Sequence, residues 1–132
     1  MPRPFWLFPL WEPREISLGG YTVITNMASV YDGNNMQRGL GRCRIDFTNV
    51  ASILFSVSVN KIGTGTHSWQ LWNETDGTQI GVIDDTGAAG NKTLSTTITS
   101  GIPAGIKDIR VRAKSTVSTD DPVYYGAYLF LT

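Results

Sequence analysis

Histidine and cysteine, the side chains most used for nucleophilic and metal chemistry, occur once each, as His67 and Cys43. A serine or cysteine nucleophile needs a base within hydrogen-bond reach. Neither His67 nor Cys43 carries a flanking signature of that kind, and no Gly-x-Ser-x-Gly element occurs. A zinc centre wants three or four His or Cys ligands, so these two residues exclude it. Two carboxylate pairs remain, Asp84-Asp85 and Asp120-Asp121. Such pairs in loops can hold Ca²⁺ or serve glycoside hydrolysis. Asp at a strand end or before proline is also ordinary turn chemistry, and that is the reading adopted. The chain therefore reads as having no catalytic residues, no metal site and no cofactor; it binds or builds.

Aromatic side chains are the other candidates. Trp69 and Trp72 are separated by an odd number of residues, so on a strand they point to opposite faces and at most one is core. Simple alternation over Val123–Leu131 puts Tyr124, Tyr128 and Phe130 on one face, with Tyr125, Leu129 and Leu131 on the other. Trp72, Tyr124 and Tyr128 are then the candidates for a stacking surface, for a sugar ring or for a protein partner. Arg110, Arg112 and Lys114 share one strand face. No aromatic alternates with them there, so they read as a solvated row or as partners in cross-strand ion pairs, not as a nucleic-acid site.

Residues 1–16 differ from the rest. Prolines at 2, 4, 9 and 13 fix φ and remove backbone donors, which predicts an extended arm. Pro4 and Pro9 interrupt the apolar run that a signal peptide would need, and the run is too short to span a membrane. The arm carries Phe5, Trp6, Phe8 and Trp11. Four large aromatics want about 600–1,000 Å² of apolar cover. They are the predicted partner-binding residues, whether the arm folds back on its own domain or docks on a neighbour.

These features must be positioned by β-structure. Length fits one domain, with the arm at 1–16 and a β-sandwich at 17–132. Eleven basic and eleven acidic residues cancel, so no global field favours nucleic acid or an anionic membrane. Charged residues make up only 17% of the chain against about 25% in an average domain, leaving surface polarity to Ser, Thr, Asn and Gly. Val50–Asn60 alternates Ile53, Phe55, Val57 and Val59 with Ser52, Ser56 and Ser58, the pattern of a core strand. His67–Glu74 and Gln79–Asp84 flank Thr75-Asp76-Gly77-Thr78, where Asp-Gly supplies a hairpin turn. Ile16–Asn26, broken softly at Gly19-Gly20, with Gly41–Asn49, Lys92–Ser100, Ile106–Lys114 and Val123–Leu131, completes a set of short strands. The expected fold is all-β: an antiparallel two-sheet sandwich of jelly-roll type.

Trp69–Gly81, then Ile109–Thr116 and Asp120–Tyr124, resemble jelly-roll virion proteins of tailed bacteriophages, their capsid decoration or cement proteins and tail-associated modules. The resemblance implies a non-enzymatic structural protein located in the virion. Its partners would be copies of itself, as a homo-oligomer such as a trimer, and a larger assembly such as a capsid or tail. It implies docking through the terminal arm and stabilisation of the particle, with neither nucleic acid nor membrane as partner. The alternative is a carbohydrate-binding module that uses an aromatic stacking face.

Overall fold

The computed structural model describes residues 14–18, 22–24, 27, 29–31 and 42–132. Among them are nine strands: β1 (Arg14–Ser17), β2 (Thr22–Val23), β3 (Arg42–Asp46), β4 (Ile53–Lys61), β5 (His67–Asn73), β6 (Thr78–Asp85), β7 (Gly90–Ile98), β8 (Ile106–Ser115) and β9 (Val123–Leu131). The first sheet runs β1-β9-β4-β7, with β2 continuing beside β9; the second runs β3-β8-β5-β6. Every pairing is antiparallel. Apart from the β5–β6 hairpin, the chain changes sheet at each connection from β2 onward, which is the jelly-roll arrangement of a β-sandwich. Arg14–Ile16, assigned from sequence to the end of the arm, already pair with Leu129–Leu131 in β1. Phe5, Trp6, Phe8 and Trp11 lie outside the described residues.

Period-two patterning builds the core. Ile53, Phe55, Val57 and Val59 of β4 face Ile109, Val111 and Ala113 of β8 and Trp69 and Leu71 of β5, all buried. Trp69 stacks on Tyr124 with ring centroids 5.8 Å apart, joining the sheets at the centre. The Asp-Gly hairpin forms as expected, Gly77 taking φ 67° where a Cβ would be strained. Asn73 closes the turn: its carbonyl accepts from Gly77 N and its Oδ1 from Asp76 N.

β9 has the predicted bounds but not the predicted faces. Opposite β4 the register slips between Ser58 and Val59, leaving Tyr125 as an extra residue, with Gly126 at φ 140°. A bulge of this kind reverses the alternation downstream of it. Tyr124 therefore points inward with Leu129 and Leu131, while Tyr125, Tyr128 and Phe130 point outward. Tyr124 is fully buried and its hydroxyl donates to the Leu18 carbonyl. Burial pushes its phenol well above the usual range. Tyr124 is thus removed from the stacking candidates.

Candidate functional site

The outer face of the first sheet is assembled by register. Ser56 of β4 lies between Ser95 of β7 and Tyr128 of β9, and Leu54 between Thr97 and Phe130. Ser58 lies between Thr93 and Gly126 in the same way. Outward positions on these three strands hold hydroxyls, amides, Leu54, Val123, Gly126 and aromatic rings, and none is charged. Tyr125, Tyr128 and Phe130 are exposed at 41, 40 and 38%. The polar groups largely satisfy one another. Ser56 Oγ lies 2.7 Å from Ser95 Oγ, Ser58 Oγ 3.0 Å from Thr93 Oγ1, and the Tyr125 hydroxyl donates to Asn91 Oδ1 at 3.0 Å. A polar surface already paired within itself can be covered without stranding donors or acceptors.

The outer face of the second sheet is different. Trp72 does point outward, opposite to Trp69, but the Arg112 guanidinium lies 4.0 Å from its ring centroid. Arg112 Nε donates to Gln70 Oε1 at 2.9 Å, and Gln70 Nε2 to Gln79 Oε1 at 2.8 Å. Tyr31 lies over the same row, with Lys114 Nζ 4.4 Å and Arg112 5.8 Å from its ring. Burial, with the Asp84 charge, raises the Tyr31 phenol against the opposing pull of Ser68 and Arg112. The Arg112–Lys114 row therefore does meet aromatics, contributed by β5 and by Tyr31 instead of by β8 itself. One face of Trp72 is already occupied by a cation, leaving Tyr128 as the sequence-predicted stacking residue with an open ring.

The two carboxylate pairs split between surface and interior. Asp84 accepts from Ser68 Oγ at 2.6 Å, while Asp85 is buried and bonds Lys92 Nζ at 2.9 Å. Asp120 is buried beside His67, which opens strand β5: its Nε2 lies 3.0 Å from Asp120 Oδ2 and the ring is wholly buried. The Gly65 amide donates to the same oxygen at 3.0 Å and Ser115 Oγ at 3.4 Å. Burial works to raise the Asp120 carboxyl, but the bonds from His67, Gly65 and Ser115 prevail and hold it below the usual carboxylate range. The order is serine to aspartate and histidine to aspartate, so the histidine is not placed to take a proton from the serine. This cluster ties the β4–β5 and β8–β9 connections together. Among the described residues no group of three or more His, Cys, Asp or Glu converges as a metal site.

Sequence reasoning missed Tyr125 and Tyr31. A mid-strand glycine in Tyr125-Gly126-Ala127 was the available signal for the first, because it marks a bulge. Tyr31 had no comparable signal.

No protein-family model matches the sequence, and no curated protein matches it. Solved structures do match in fold. A carbohydrate-binding module from Cellvibrio mixtus lichenase 5A, in complex with cellotriose, is 13% identical with a TM-score of 0.51, covering 89% of this chain and 74% of its own. A carbohydrate-binding module in complex with calcium and xylotriose is 18% identical with a TM-score of 0.52, covering 83% and 98%. The infectious bursal disease virus Gx strain structure is 15% identical with a TM-score of 0.55, covering 92% of this chain and 32% of that one. These likenesses establish the sandwich fold.

Proposed function

We propose that this chain is a non-enzymatic, homo-oligomeric structural protein of a tailed-phage virion, a capsid decoration or cement subunit. It docks through its N-terminal segment and reinforces the particle by the surface it buries. The observation that carries this reading is the outer face of β4, β7 and β9, which holds no charged residue, with Tyr125, Tyr128 and Phe130 exposed above hydroxyls that pair among themselves. Strands of this length, three abreast, present on the order of 400 Å², about half of one partner's share of a standard interface. The aromatics of residues 1–13 supply the rest. They join the sheet at Arg14, opposite Leu131 and one residue from Phe130.

Light scattering after size exclusion tests this. The full chain is expected to be an oligomer, a trimer for the decoration class, and the double variant Tyr128→Ser/Phe130→Ser to shift towards monomer with unchanged circular dichroism. A full chain that stays monomeric at tens of micromolar would sink the proposal.

The second reading, a carbohydrate-binding module, draws on the same rings, since Tyr128 and Tyr125 offer exposed faces beside hydroxyl and amide groups. Affinity electrophoresis in soluble β-glucan and xylan separates the two: the virion reading expects no retardation, and retardation abolished by Tyr128→Ser would favour glycan binding.

A further inference from the structure

We propose that the cleft over the β3–β8 ladder binds a carboxylate carried on an acidic peptide segment, independently of the oligomer reading above. The cleft encloses about 340 Å³, its floor being the paired Cys43 and Ile109. Its walls are Arg42, Arg44, Glu74, Asp108 and Arg110. Among the described residues three guanidinium groups thus face two carboxylates, in contrast to the uncharged outward positions of β4, β7 and β9.

The charges are not evenly matched. Arg44 pairs with Asp108, Nε to Oδ1 at 2.9 Å, and that hydrogen bond, helped by the charges of Arg44 and Arg42, holds the Asp108 carboxyl below its usual range despite some desolvation. Arg110 Nη1 lies 3.8 Å from the Glu74 carboxylate. Arg42 sits directly opposite Arg110 in the ladder, and like charges so placed repel. Among the described residues no carboxylate forms an ion pair with Arg42.

A single negative charge accepted between Arg42 and Arg110 would remove that repulsion and neutralise the cleft, and the planar guanidinium matches a carboxylate bidentately. A phosphate would bring a second charge against Glu74 and Asp108. Among the described residues β3 is the edge strand of its sheet, the side from which an incoming extended segment would reach the cleft.

The test is to titrate a blocked tetraglutamate peptide, and separately inorganic phosphate, into the full chain while following backbone amides by NMR. Tetraglutamate is expected to give saturable shifts at Arg42–Arg44 and Asp108–Arg110 that weaken as salt is raised. Arg42→Ala, a change at an exposed position, should weaken peptide binding about tenfold, the effect of losing one charge-assisted hydrogen bond. Phosphate should bind more weakly than the peptide. The proposal is overturned if no saturable shifts occur at these amides, if Arg42→Ala binds unchanged, or if phosphate binds as tightly as the peptide.

Discussion

Asp120→Ala is expected to destabilise the domain by about 3–5 kcal/mol, the range for removing one partner of a buried charged network. The carboxylate accepts from His67, Gly65 and Ser115, and all three donors would be left in a site that excludes water. The carboxylate fills the space above Gly63, where even a Cβ would come within 1.9 Å of Oδ1. The effect should also depend on pH. A carboxyl held below its unfolded value contributes stability that is complete above about pH 4 and is lost as pH falls through the lower folded value. Urea denaturation midpoints of wild type and variant, measured between pH 2 and 7, should therefore differ most near neutrality and converge in acid. A neutral-pH difference under about 1 kcal/mol would show that the network is not what holds these loops.

Trp69→Ala should cost a similar amount, about 3–5 kcal/mol, because it opens a cavity between the sheets and removes the ring on which Tyr124 stacks. A domain of this size is stable by only about 5–15 kcal/mol, so the variant should be recovered poorly or melt near room temperature. Trp69→Phe is the informative control. The Trp69 indole Nε1 is buried with no hydrogen-bond partner among the described residues, so phenylalanine loses area but also relieves an unsatisfied donor. Its cost should be about 1–2 kcal/mol. Equal losses in the two variants would mean that the indole nitrogen, not ring volume, is what the site needs.

Much of the scaffold was legible because its signals are local. The alternation of Ile53, Phe55, Val57 and Val59 marks a half-buried strand whatever it pairs with, and Asp76-Gly77 marks a turn from its own backbone preference. What could not be read depends on partners distant in sequence. His67 looks like any strand residue until Asp120 is brought to it by the β8–β9 connection. Arg112 shows no aromatic beside it in β8, and Trp72 comes from the neighbouring strand. The faces of β9 failed for a local reason: one bulged residue at Tyr125 exchanges inside for outside, so Tyr128 kept its assigned exposure while Tyr124 did not. Simple alternation has no means of counting that extra residue.

The place of β9 has a kinetic consequence. It is the last of the described strands in sequence, yet it lies in the interior of its sheet, flanked by β4 on one side and by β1 and β2 on the other. Until it is synthesised, β1 and β2 have nothing to pair with and β4 presents an open edge studded with Phe55 and Val57. Loop closure between β1 and β9 must be met before that sheet gains stability, the regime in which β-sandwiches fold slowly. The nascent chain is therefore at greatest risk of intermolecular strand pairing just before β9 emerges. Its low charge gives little repulsion against such pairing, and the same sheet that suits ordered assembly is the one most exposed to the disordered kind.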